Sequence, residues 1–217
     1  MKYKKIVWLL VLVCLCILIT AMNMRRMDNG ENYTLSLTKD KCRKGNTIRF
    51  GCYPQDTRLG KEPIEWQVLQ TTGDSAVLIS KYILDNQDYH VPRYEADTWL
   101  NSSLREWLNN QFFVKAFNKQ EKECLIPFSF CADGKENLDW VICPTKQMIL
   151  DGFEREINRK AVLTEYAEKK AWKENVYWLN GQKCVKEDGT IEDFPYIPST
   201  GKGYGVRPVI MVRLSER

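Results

Sequence analysis

An uncharged apolar run from Ile6 to Ala21, with Lys2, Lys4 and Lys5 before it and Arg25 and Arg26 after it, constrains how everything downstream can fold. Such a segment is a secretory signal peptide or a membrane anchor. A cleavable peptide has a shorter apolar stretch and small residues just ahead of the cut, whereas the best candidate, Ile19-Thr20-Ala21, carries a bulky Ile at the outer position. Counted to Met22, the run holds 17 apolar or near-apolar residues, at the short end of what spans a bilayer. The reading is a retained transmembrane helix over 6–22. Three lysines and the amino terminus outweigh two arginines, which puts residues 1–5 in the cytoplasm as a tail and the rest of the chain outside. Cys14 and Cys16 sit in the middle of the run and read as small lipid-facing hydrophobes rather than lipidation sites.

The formal net charge of +4 comes from 32 basic and 28 acidic residues. The first 26 residues hold five basic and no acidic groups, so the remainder carries 27 basic and 28 acidic residues, a net charge near zero. Nucleic acid is therefore not an expected partner, because phosphate neutralisation needs a basic face. Residues 23–46 are polar and nearly free of large aliphatics, and they read as a stalk. From 47 to 217 the chain contains six of its seven tryptophans and no comparable linker. That suits one domain with one core.

Within this body, Thr47 to Tyr53 and Ile64 to Leu69 place β-branched and aromatic residues in short runs bounded by Gly and Pro, which predicts strands. Thr71-Thr72-Gly73-Asp74 predicts a hairpin turn into Ala76 to Ser80. After a polar loop over 85–97, Ser103 and Glu106 stand at capping-box spacing. Leu104, Trp107, Leu108 and Phe112 then mark a buried helix face, with Phe113, Ala116 and Phe117 as a second short helix at an angle to it. Trp99 and Trp107 read as core anchors. The spacing further predicts a strand at Trp140 to Cys143, helices over 145–153 and 164–172, and strands at Val176 to Leu179, Cys184 to Val185 and Gly203 to Leu214. Strands, then helices, then strands without βαβ alternation argue for an α+β domain.

Four runs carry a resemblance: RFGCYPQ (Arg49 to Gln55), PIEWQVL (Pro63 to Leu69), SSLREWLNNQF (Ser102 to Phe112) and YGVRPVIMV (Tyr204 to Val212). In that order they resemble a bacterial family, the domain of unknown function numbered 6273. Its second half matches Tyr177-Trp178-Leu179-Asn180, Glu187-Asp188-Gly189-Thr190 and Gly205-Val206-Arg207-Pro208. Asn180 and Gly181 stand where the family has an Arg-Ser pair, so no role of that arginine carries over. A tryptophan-bearing strand, a loop and a closing strand also look like the arrangement of C-type-lectin-like domains, formylglycine-generating-enzyme relatives included. That analogy concerns fold and licenses no activity. The resemblance implies a ligand face made by the loops before the last strand. Mapped here, it involves Trp172, Trp178, Asn180, Tyr196 and Tyr204. Flat rings with an adjacent amide suit a glycan or protein ligand. Arg207 is implied as a structural clamp in the closing strand, with Glu65 as its partner.

Chemistry is sparsely signalled. His90 is the sole histidine, no C-x-x-C pair exists, and neither a metal nor a cofactor is expected. The glycine cluster at 201–205 lacks the Ser or Thr that a phosphate loop places after its Lys. Asp85, Asp88, Glu95 and Asp97 could share calcium, but their irregular spacing reads as a solvated loop. Six cysteines lie outside the apolar run, namely Cys42, Cys52, Cys124, Cys131, Cys143 and Cys184. They allow three disulfides with fifteen pairings, or buried thiols. The leading expectation is a membrane-anchored extracytoplasmic binding module. The alternatives are an oxidase of the formylglycine-generating type, with Cys143 and Cys184 as its thiols, and a scaffold for another membrane protein.

Overall fold

The last strand of the chain closes a sheet begun by the first three. The computed structural model describes residues 37–90, 98–132, 135–170, 174–193 and 203–215. The expected anchor over 6–22 lies outside these. Among the described residues no helix is long and apolar enough to cross a membrane. Strands β1 (Thr47–Pro54), β2 (Lys61–Thr72) and β3 (Ser75–Ser80) form an antiparallel meander. Strand β12 (Val209–Arg213) pairs with β3, Val209 opposite Ile79 and Val212 opposite Ala76. Strand β5 (Leu125–Ile126) completes the order β1-β2-β3-β12-β5. The two halves of the chain thus share a sheet. Period two explains β2: Ile64, Trp66 and Val68 are buried while Glu65 and Gln67 between them are partly exposed.

A second sheet has the order β10 (Ile191–Asp193), β9 (Lys183–Val185), β8 (Tyr177–Leu179), β11 (Gly205–Val206), β4 (Asp85–Asn86). Only the β8–β11 pairing is parallel. A hairpin of β6 (Phe128–Ala132) and β7 (Lys135–Asp139), unforeseen in the sequence, stands apart from both sheets. The body is a mixed α and β structure in which strands dominate and helices are few and short.

The stalk expectation needs correction at its C-terminal end. Leu37 and Cys42 are buried, Thr38 bridges Ser215, the Gly45 N–H donates to Val68 O, and the Val68 N–H donates to Asn46 O. Two apolar side chains and a set of backbone bonds dock this segment although its composition is polar.

The first helical region also differs from its prediction. Ser102, not Ser103, is the N-cap, its hydroxyl accepting from the Arg105 N–H. The helix then continues through α1 (Ser103–Trp107), a π-helical turn (Leu108–Phe112) and α2 (Phe113–Ala116), with helical dihedrals at each junction. No second helix sets off at an angle. Leu104, Leu108, Phe112 and Ala116 are all buried, a repeat of four. In a regular α-helix that repeat would drift about 120° over its length, but a π-turn absorbs one extra residue and leaves about 20°. The apolar spacing therefore calls for the π-turn. Trp107, expected in the core, packs only partly buried against it, beside Phe112. Trp99 is buried as expected and donates its indole N–H to Asp139.

Trp140 to Cys143 is not a strand. Only Ile142 pairs, in an isolated bridge to Val209. The Asn109 carboxamide takes the place of a neighbouring strand, accepting from the Trp140 and Val141 N–H groups and donating to Val141 O. A further helix, α3 (Lys119–Cys124), opens with the capping box between Asn118 and Glu121. The helix expected at 145–153 is present as α4 (Lys146–Gly152), followed by α5 (Glu156–Arg159) and α6 (Glu165–Glu168).

The chain passes between the sheets at Arg207 and Pro208, which separate β11 from β12. Pro208 cannot donate to a ladder, so the strand must break there. Arg207 is 1 % exposed. Its Nε donates to Ser80 O (2.7 Å), Nη2 to Gln67 Oε1 (2.7 Å), and Nη1 to the Tyr177 hydroxyl (3.2 Å) and Arg159 O (3.3 Å). The guanidinium also lies 5.2 Å from the Phe153 ring centroid and 5.3 Å from that of Tyr177. The expected clamp is therefore present, but Glu65 is not its partner. Glu65 accepts from Lys81 (2.8 Å) and Arg49 (3.2 Å) at the partly exposed surface. Gln67 shares its face of β2 and reaches the crossover instead, where a neutral amide is less costly to bury than a carboxylate.

Replacing Arg207 with Ala strands several buried acceptors, each worth about 1–3 kcal/mol. The expected loss is about 3 kcal/mol or more, or roughly 10 °C in Tm for a body of this size. Arg207→Lys is expected to lose most of the same stability, since one ammonium cannot reproduce the fork. A lysine variant melting with the wild type would show that charge alone matters.

Candidate functional site

Asp85, placed by the sequence in a solvated loop, is buried in β4. It accepts from the Tyr53 hydroxyl (2.5 Å), from Lys170 Nζ (2.9 and 3.1 Å) and from the Asn86 N–H. These donors satisfy a carboxylate that could not otherwise leave water. Burial, then the Asp85 charge, pushes the Tyr53 hydroxyl far above its ordinary pKa. Burial pulls the Lys170 ammonium down, but bonds to Tyr166 and Asp85 outweigh it and hold the group protonated. The cluster joins β1 of the first sheet to β4 of the second. Glu95 and Asp97 lie outside the described residues, and no group of three metal-ligating side chains occurs among the described ones.

Downstream of Asp85, the backbone of 86–89 borders β11 and β8. Asn86 pairs with Gly205, and the Gln87 N–H donates to Tyr204 O (3.2 Å). A Cβ on Gly203 would lie 2.0 Å from Gln87 O, so only glycine allows this approach. An aromatic series crosses the region, with centroid separations of 6.5 Å for Trp99 to Tyr89, 5.4 Å for Tyr89 to Trp178 and 4.9 Å for Trp178 to Tyr204.

Of the five residues expected to contact ligand, Trp172 and Tyr196 lie outside the described residues. Trp178 and Tyr204 are neighbours, as anticipated, but Trp178 is 1 % exposed. Its indole N–H donates to Gln87 O (2.7 Å). The strand carrying it is covered on both faces, so alternation does not bring the ring to the surface. Trp178 is scaffold, a correction to its expected role. Tyr204 is partly exposed, and burial followed by the nearby Cys184, Glu174 and Glu192 groups raises its hydroxyl to about 12. Asn180 is partly exposed in the β8–β9 turn, where Gly181 (φ 87°) and Gln182 (φ 53°) are left-handed. The Asn180 N–H donates to Pro144 O, and the Gly181 N–H donates to the Tyr89 hydroxyl. Sequence reasoning missed Asn86, 9 % exposed, whose Oδ1 has no partner among the described residues. No motif marks it.

The described surface also holds two open clefts, one of about 570 Å³ beside Lys39, Arg43 and Lys44, the other of about 390 Å³ between α1 and β7. All six cysteines outside the apolar run are free thiols. Burial pushes Cys143 far above its ordinary value and raises Cys184 to about 12. Neither holds the thiolate that redox chemistry needs. In the native protein at pH 8, Cys131, which is exposed, is expected to alkylate first and Cys143 and Cys184 only on unfolding. Rapid modification of the latter pair, followed by mass spectrometry, would contradict this.

No curated protein and no solved structure matches the chain. One of the four runs quoted above, Ser102 to Phe112, falls inside the matched stretch of a family model; the others lie outside it. That model, Domain of unknown function (DUF6273), matches residues 73–140, about a third of the chain, and supports the resemblance that the motifs carry.

Proposed function

We propose that this chain is a membrane-anchored, extracytoplasmic binding module of C-type-lectin-like type whose ligand is a glycan. The observation that carries the reading is Tyr204, a partly exposed ring 4.9 Å from a Trp178 that is itself locked by a hydrogen bond to the Gln87 backbone. A ring held this way is preorganised, so little entropy is lost when a sugar face covers it. The carboxamides of Asn86, at the end of β4, and of Asn180, in the turn after β8, supply groups that can read hydroxyls. The architecture supports the fold-level reading, since a closing strand joins the halves and loops border a short second sheet before it. The two desolvated thiols, Cys143 and Cys184, weigh against the oxidase alternative.

Co-sedimentation with purified cell-surface polysaccharide tests the reading. Tyr204→Ala is expected to weaken binding about tenfold, the loss of roughly 1.4 kcal/mol of aromatic contact. Undiminished binding would remove Tyr204 from the site. Topology has its own test. Protease added to intact cells is expected to release the folded body and leave residues 1–5 inside, and complete protection of the body would reverse the orientation.

A further inference from the structure

The cleft of about 390 Å³ between α1 and β7 has a built floor and an uncommitted rim. Asp139, 1 % exposed, forms the floor. Its oxygens accept from Arg105 Nε (2.8 and 3.0 Å) and from Trp99 Nε1 (2.8 Å). The Arg105 Nη1 donates to Leu100 O (3.1 Å), and its guanidinium lies 5.7 Å from the Phe130 centroid. The arginine is thereby fixed and its charge neutralised, while these bonds leave its Nη2 N–H groups unused. Asn109 is wholly engaged with backbone, so it is wall. Around the rim stand Asn101, Glu106 and Asn110, all exposed and without side-chain bonds among the described residues, together with Leu138, 54 % exposed.

The chemistry of this rim selects a ligand class. Carboxamides donate and accept, a carboxylate accepts and a guanidinium donates. That mixture matches adjacent hydroxyls, each of which does both. Leu138 offers an aliphatic wall for a C–H face and no aromatic platform for a base. Arg105, Asp139 and Glu106 leave about one net negative charge, which disfavours phosphates and carboxylates. The volume lies within the range of small-ligand sites. The geometry points to this cleft as a subsite for one uncharged sugar ring. It rests on the glycan reading above but not on Tyr204. Every residue lining it falls within residues 73–140, whereas Trp178 and Tyr204 fall outside.

Saturation-transfer NMR on the full chain, held in a detergent without sugar headgroups, tests it with glucose, N-acetylglucosamine and glucose 6-phosphate. Transfer to the ring protons of an uncharged sugar is expected, with less to the phosphate. In a Tyr204→Ala background, which removes any contribution from that ring, Asn110→Ala and Leu138→Asp are each expected to cut the remaining transfer at least fivefold with Tm unchanged. No transfer to either uncharged sugar would overturn the inference. So would transfer that survives both cleft variants in that background. Transfer abolished by Tyr204→Ala alone would overturn the cleft while leaving the Tyr204 reading in place.

Discussion

One buried guanidinium holds the two sheets in register. Arg207 stands where the chain leaves the second sheet for the first, and its bonds reach β2 through Gln67, β3 through Ser80, β8 through Tyr177 and α5 through Arg159. A buried cation without a carboxylate would ordinarily be costly. Here five N–H groups in a fixed plane meet two carbonyls, an amide and a hydroxyl, and two aromatic rings flank the delocalised charge. The direction in which β12 departs, and hence how the sheet closes, depends on that arrangement.

A second device connects the sheets at Asp85, which pairs with Val206 just before the crossover. Strands β3 and β4 are separated by Lys81 to Leu84, and the Asp85 that follows is tied to Tyr53 and Lys170. Two antiparallel chain segments thus cross between the sheets, one secured by a cation on neutral acceptors and the other by an anion on two donors. Each satisfies its own charge locally.

Helix geometry shows the same economy of parts. Four apolar residues at a spacing of four require a winding slower than 3.6 residues per turn, and the π-turn at Leu108–Phe112 supplies it. The same turn carries Asn109, whose carboxamide stands in for a strand along Trp140 and Val141. Fixing that segment brings β7, with Leu138 and Asp139, beside the helix. The polar cleft is a by-product of how the helix is wound.

Composition and local pattern carried the strands β1, β2, β3, β8 and β12 and the helix from residue 103, because period-two and period-four burial is written in neighbouring residues. Arg207 was implied as a clamp by the resemblance of its closing-strand motif to the family's. Its acceptors were not. Glu65 and Gln67 share a face, and only the crossover decides which of them reaches the guanidinium. The resemblance placed Trp178 on one face with Tyr204, yet burial on both faces of β8 depends on what packs there, including the loop at 85–89 with Tyr89. The docking of residues 37–46 was not legible because it rests on backbone bonds to distant segments, and a backbone donor is the same in every residue. Sequence settled which side chains were available; tertiary structure alone decided which of them meet, since burial and partnership are properties of neighbours far apart in the chain.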